Sequence, residues 1–293
     1  MSENEQLSRD TVNHNEERII NIPLSQIKEF QNHPFKIRDD DEMRKLITSI
    51  HDFGVLTPVI VRPIGFEAYE LISGHRRKRA SELAGLATLP CIVRDLSDDE
   101  ATILMVDTNM QRETVLPSER AFSYKMKLEA LKRQGARTDL TFDPSEQKSK
   151  VDSSREMVAT EFGESPSQIQ RYIRLTELIS PLLQMVDDGT LFFRAAVELS
   201  YLTQQEQEDL KSVIDELDCN PTLEQSLKFK KLSKANELTR EAMFTILEAE
   251  DGRKQNWVKV PAGVLERFFE EGTPTKEIVK EIVNAMEFYK ANA

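Results

Sequence analysis

Cysteine, glycine, proline and tryptophan are all scarce in this 293-residue chain, at two, ten, twelve and one. The two cysteines, Cys91 and Cys219, stand far apart and match no metal-ligand spacing, so the reading is two reduced structural thiols. So little glycine and proline excludes a fibrous or wholly disordered chain. Also lacking is any apolar run of about 18 residues, the length a membrane-spanning helix needs, and the N-terminus has no apolar signal core. The expectation is a cytoplasmic protein with no membrane partner. At this length two or three domains are expected.

Charge is plentiful: 31% of residues are charged and the net charge is −12. Taken alone, that acidity argues against nucleic acid. Its distribution is uneven, however. Between Arg120 and Arg137 stand Arg120, Lys125, Lys127, Lys132, Arg133 and Arg137, with only Glu129 against them. Screening limits the reach of distant charge to about 8 Å at physiological salt. A local basic face can therefore serve DNA on an acidic protein.

Residues 1–17 are polar and lack hydrophobic periodicity, which predicts a disordered arm. A short β-type run follows at Arg18–Pro23. Glu42–Phe53 has helical spacing (Met43, Leu46, Ile47, Ile50) and a stop at Gly54. Pro58–Arg62 and Tyr69–Ile72 read as strands, Arg76–Ala84 as a helix and Leu89–Val93 as a further strand. With a helix over Asp98–Asn109 started by an acidic cap, these make an α/β domain over 18–115. The rest reads as helical: Pro117–Gln134 ending before Gly135, a polar linker over 136–150, helices from about 153 to 247, and a second linker over Glu248–Gln255. The last segment, 256–293, has an apolar helical seam of Leu265, Phe268, Phe269, Ile278, Ile282 and Met286. The fold class is α+β, with a helical domain over 116–247.

Two patterns carry chemistry. Arg155–Arg174 (REMVATEFGESPSQIQRYIR) has Met157, Val158, Ala159 and Phe162 on one face of a first helix, then Gly163, then Ile169, Tyr172 and Ile173 inward on a second. Small Ala159, a glycine able to take positive φ and a closing Ile169 are the steric needs of a helix-turn-helix over 155–175, with Ser165 or Ser167 as cap. Its second helix would expose Ser167, Gln168, Gln170, Arg171 and Arg174, with no exposed acid from Ser165 to Arg174. Gln suits adenine, Arg suits guanine, and Ser at a helix start suits phosphate. The same pattern also describes a plain helical hairpin with a solvated polar face. Second, Ile72–Ala80 (ISGHRRKRA) runs a strand through Gly74 into four consecutive basic residues opening a helix. Free N–H groups and the positive dipole end make that an anion site, with triphosphate a natural guest, or simply a solvated basic turn. Asn109, Gln111 and Arg112 then interrupt an apolar helix near its end. There an Asn oxygen can serve Mg²⁺, or the segment can be merely a solvated helix terminus.

In order, IPLSQI, GVLTPVIVR, GHRRKRASELAG, NMQRETVLPSERA, the helix-turn-helix and ISPLLQMVDDGTLFFRAAVELSYL resemble the ParB/Spo0J family over about residues 20–205. The resemblance implies a ParB-like N-terminal domain binding CTP, and a middle domain binding a palindromic duplex site as a homodimer. Nucleotide would switch such a protein into a clamp on DNA, associated with the nucleoid or a plasmid, with a ParA-type ATPase as partner. Carried over, Thr57, Pro58 and Arg62 meet base and sugar. Gly74, Arg76, Arg77, Arg79 and Ala80 form the first phosphate motif, and Asn109, Gln111, Arg112 and Glu113 the second, with Asn109 the metal candidate. Ser167, Gln168 and Arg171 fall on the recognition helix, and Arg194 where a following helix also approaches DNA. Two positions depart from the pattern. His75 and Thr108 stand where the family commonly has glutamates that help hold Mg²⁺, which argues against CTP hydrolysis. The first seventeen residues hold only Arg9 as a basic group, so the arm that stimulates a ParA-type ATPase is poorly matched. The other readings are a helix-turn-helix transcriptional regulator without a nucleotide switch, and phosphotransfer or sulfiredoxin-like chemistry on the same fold. For the latter, the position that would carry the reactive Cys is His75.

Overall fold

The computed structural model describes residues 18–37, 39–112, 114–137 and 154–251, together with 268–269, 273, 278 and 280–285. The expected arm at 1–17, most of the 136–150 linker and most of the 256–293 segment, with Leu265 and Met286 of its seam, lie outside the described residues. So does Glu113. Of the tail, residue 278 and residues 280–285 are helical.

Five strands form one mixed sheet: β1 (Ile19–Pro23), β2 (Ile27–Lys28), β3 (Val59–Gly65), β4 (Ala68–Ser73) and β5 (Thr88–Val93), in the order β1-β5-β3-β4-β2. β3 is central, antiparallel to β4 and parallel to β5. Side chains alternate across it, so Ile22, Ile27, Val59, Val61, Leu71, Leu89 and Cys91 share one buried cluster. Ile72 instead joins Phe30 and Phe35 against Ala101, Met105 and Val106 of α3 (Asp98–Met110). Helices α1 (Asp41–Phe53) and α2 (His75–Leu83) meet through Met43, Ile50 and Ala80. Ala80, carried over as part of the first phosphate motif, is fully buried there in the α1–α2 contact.

From α4 (Pro117–Arg137) onward the chain is helical: α5 over 154–161, α6 (Pro166–Arg174), α7 (Ser180–Asp187), α8 (Phe193–Leu199), α9 (Gln204–Leu217), α10 (Leu223–Lys234) and α11 (Arg240–Asp251). The chain divides into two units, Met1–Thr245 and Ile246–Ala293, and the sheet and helices α1 to α10 belong to the first.

The expected α+β class is what the structure has, and several boundaries move for local reasons. α4 runs through Gly135 to Arg137, since an interior glycine costs a helix only about 1 kcal/mol and nothing else stops it there. α11 reaches Asp251, inside the expected second linker, because Glu and Ala are helix formers and charge alone is no stop. α3 is capped by Ser97, whose hydroxyl accepts from the Glu100 N–H while the Glu100 carboxylate takes the Ser97 N–H, rather than by an acid.

Candidate nucleic-acid interface and anion site

The helix-turn-helix is built from its small residues outward. Val158 and Ala159 of α5 and Ile169 of α6 are buried against Tyr124 and Leu128 of α4. Gly163 sits at φ +65°, and the Ser165 hydroxyl caps α6 by accepting from the Gln168 N–H, while Pro166 fills the first turn. Met157, expected on the inward face, is 57% exposed instead, because the inward stripe of α5 is taken by the adjacent Val158 and Ala159.

On α6, Ser167, Gln170 and Arg171 are exposed and Gln168 is half-buried, its amide oxygen accepting from Arg171 Nη1 at 3.4 Å. Arg174, expected to be exposed beside them, is held internally. Its Nε donates to Ser200 Oγ at 3.1 Å, Nη2 donates to the Ser200 carbonyl, and the guanidinium lies 4.2 Å from the Tyr201 ring centre. It joins α6 to the turn after α8, because Tyr201 and Ser200 offer a π face and acceptors within its reach. Tyr172 packs on Phe193 at 4.7 Å, which seats α8, with exposed Arg194, against α6.

The basic run of α4 is not an open cationic face. Arg120 pairs with Glu164, Lys125 with Glu177 and Arg133 with Asp99. Lys127, whose side chain is only 3% exposed, binds both Asp107 of α3 and Glu161 of α5, with the Phe162 ring 4.9 Å away. Four of the six cations counted in the sequence therefore tie helices together. Acids distant in sequence supply their partners, which a count along one helix cannot show.

The second site surrounds Gly74, at φ +109°, the first-turn cap of α2. A Cβ here would stand 2.5 Å from Val59 Cγ1, so only glycine lets β4 turn so closely over β3. Arg77 Nη1 donates to the Thr57 and Pro58 carbonyls at 2.8 and 2.6 Å, which brings three of the expected nucleotide residues together; burial lowers its pKa. Thr57 is exposed and Pro58 half-buried. Arg76 pairs with Asp40, and Arg79 with Asp39, pinning the segment before α1. Arg62 turns to Glu70 at 2.6 Å, Asp98 at 2.7 Å and the Leu96 carbonyl.

Sequence reasoning missed His33. Its ring stacks on His75 with centres 3.7 Å apart, and its Nδ1 meets the Phe35 carbonyl at 2.9 Å, so Nδ1 carries the proton. Arg112 lies over Phe35 at 5.2 Å and acts electrostatically on both rings. Burial, opposed by the Phe35 hydrogen bond and aided by Arg112, lowers His33 to about 4, and burial, then His33, Arg112 and Lys78, lowers His75 to about 2, so both are neutral. Only the basic turn hinted at a cluster here; no local signal placed a residue 42 positions upstream of His75 beside it.

These residues do not fit magnesium. Asn109 is 4% exposed and its amide nitrogen donates to the Met105 carbonyl; Gln111 is exposed at the end of α3. Thr108 turns back to the Leu104 carbonyl. The nearby carboxylates are engaged, Glu29 with Lys78 at 2.6 Å and Asp40 with Arg76 at 3.0 Å. Among the described residues no group of three or more His, Cys, Asp or Glu is arranged to hold a metal. Cys91 is buried in the sheet with its thiol pushed up to about 11, which makes it an inert core residue and no sulfiredoxin-type nucleophile.

The fold and these two sites define a protein with an arginine-lined glycine turn on a mixed sheet, followed by a helix-turn-helix. Residues 8–110 match the ParB N-terminal domain family. The chain is similar to the probable chromosome 1-partitioning protein ParB of Deinococcus radiodurans, 33% identical over 189 residues, covering 64% of this chain and 57% of that one. It is likewise similar to the chromosome-partitioning protein Spo0J of Thermus thermophilus, 31% identical over 173 residues, covering 59% and 56%. Among solved structures it resembles C-terminally truncated ParB of Caulobacter crescentus complexed with CTP-γ-S, at 26% identity and a TM-score of 0.31, covering 62% of this chain and 92% of that one. Over residues 8–110 the chain thus matches the ParB N-terminal domain, and it is similar to the ParB/Spo0J partitioning proteins. It spans little more than half the length of the curated relatives it matches.

Proposed function

We propose that this protein is a site-specific DNA-binding partition protein that acts in the cytoplasm on nucleoid or plasmid DNA. It binds a palindromic duplex site as a homodimer. One observation carries the reading: α6 is a short, capped helix that presents Ser167, Gln170 and Arg171 to solvent with no acid on it, while Ile169 anchors it in the core. Gln and Arg there have the donor patterns that read adenine and guanine edges, and a helix of nine residues enters a major groove. Arg194, on the helix that α6 packs against, contacts the flanking backbone. The Gly74 turn, with Arg76, Arg77 and Arg112, takes CTP as the switching ligand, and a ParA-type ATPase is the partition partner.

The test is a pair of titrations on the full chain. Specific duplex should be preferred over scrambled duplex, and that preference should shrink on Arg171→Ala. Labelled CTP should bind saturably and outcompete ATP and GTP. DNA discrimination without CTP binding, even with the cognate duplex present, would leave a helix-turn-helix regulator that uses this fold without a nucleotide switch. Loss of all discrimination would remove the DNA reading itself.

A further inference from the structure

The candidate phosphate site is rich in cations and unusual in its neutral ligands. Arg76 and Arg112 lie close enough to act on each other's charge, and both flank the first turn of α2. His75, the first residue of that helix, is 1% exposed, and neither of its ring nitrogens has a hydrogen-bond partner. One of the two must carry a proton, so a buried N–H is left unmatched where the free backbone amides of the helix also gather. His33 cannot serve it. The Phe35 carbonyl holds His33's own proton on Nδ1, the rings are stacked rather than edge to edge, and His33 Nε2 is itself unmatched. The acid nearest to His75 is Glu29, 3.7 Å away and bonded at 2.6 Å to Lys78, which also holds Glu82. Lys78 and Arg112 are the cations that face the ring.

An anion with several oxygens answers each of these features, and a hydrated divalent cation answers none. Beside phosphates and waters a magnesium ion takes one or two protein carboxylates, and the described carboxylates around the turn are already bonded to Lys78, Arg76, Arg79 and Arg62. Resting on the nucleotide reading above, we propose that the Gly74 turn binds the triphosphate chain without a divalent metal. Arg112, the α2 amides and the Arg76 N–H groups that Asp40 leaves unused neutralise the charge that magnesium would otherwise carry. Arg112 moves from its seat over Phe35 onto the phosphates, and the His75 N–H opened by that movement donates to a phosphate oxygen.

The experiment is CTP binding to the full chain by calorimetry, in EDTA and again in millimolar magnesium chloride. The two dissociation constants should agree within about threefold. Inorganic tripolyphosphate in EDTA should compete. His75→Leu, which keeps the bulk and removes the donor, should weaken binding in EDTA by about tenfold, and His75→Gln should restore it, because a charge-assisted bond is lost and regained. Binding that appears only with magnesium overturns the metal-free site and leaves the nucleotide reading standing. Binding in neither buffer overturns both. Failure of tripolyphosphate to compete would remove the phosphate chain from this cluster even if CTP binds.

Discussion

Replacing Gly74 by alanine isolates the contact on which the anion site is built. The residue sits at φ +109°, where a side chain adds roughly 1–3 kcal/mol of backbone strain. The added Cβ would lie 2.5 Å from Val59 Cγ1 and 2.9 Å from Val59 Cβ. Val59 is fully buried on the central strand, so it cannot swing away as a surface side chain would. Overpacking of that kind costs a further 1–3 kcal/mol or so. The sum is about 4 kcal/mol, which for a chain of this size lowers the melting temperature by roughly 10 °C. Circular dichroism melts of Gly74→Ala and of Gly74→Ala/Val59→Ala separate the two parts. The double variant should be less destabilised than the two single costs added together, since shortening Val59 removes the clash but not the strain. A Gly74→Ala melt within 2 °C of the parent, or strict additivity in the double variant, would refute the reasoning.

The stacked imidazoles make stability fall in acid. Their folded pKa values, about 4 for His33 and about 2 for His75, lie below the ordinary 6.5, so the unfolded chain binds more protons. Stability is then full above pH 6.5 and drops as pH falls, by up to about 1.4 kcal/mol per pH unit for each ring. Urea midpoints at pH 7.0, 5.5 and 4.5 should fall less steeply in His33→Gln than in the parent; a parallel fall would exclude His33 as a contributor. Converting Asp107→Asn and Glu161→Gln together strands the buried Lys127 ammonium and should cost about 3 kcal/mol in urea unfolding, most of it recovered when Lys127→Met is added. Absence of that recovery would show that the ammonium is not what the carboxylates stabilise. Arg171 and Arg174 should separate cleanly. Arg171→Ala should lose about 1–3 kcal/mol of specific DNA binding with an unchanged melt, whereas Arg174→Ala should lower the melt through the lost Ser200 and Tyr201 contacts. Equal effects of the two on the melt would contradict the placement of Arg174.

Much of the fold was legible because local rules acted alone. Val59, Val61, Leu71 and Leu89 fall on a period of two, and the Ala159, Gly163 and Ile169 spacing leaves little choice but a tight helix pair. The two-residue strand Ile27–Lys28 has too few residues for any period to show. The site was legible at Gly74, where one residue type meets one backbone need. It was illegible wherever a partner came from far along the chain: His33 beside His75, Ser200 under Arg174, Asp107 and Glu161 around Lys127. Composition gave six cations on α4 and no way to see that Glu164, Glu177 and Asp99 would consume three of them, nor that Asp107 and Glu161 would claim Lys127.

That consumption bears on the DNA contact proposed for this protein. With Arg120, Lys125, Lys127 and Arg133 of α4 engaged in ion pairs, the exposed cations around α6 that no ion pair engages are, among the described residues, Arg171, Arg194 and Lys132, which lines a hollow of about 180 Å³ with Gln170. Were these three groups alone to neutralise phosphates, few counterions would be released and log affinity would fall with log salt at a slope of only about −3 per protomer. A chain with net charge −12 and so shallow a slope would have little hold on arbitrary sequence. On the DNA-binding reading proposed above, such a surface offers few resting places between sites, and the duplex site would be found by repeated collision rather than by creeping along the duplex.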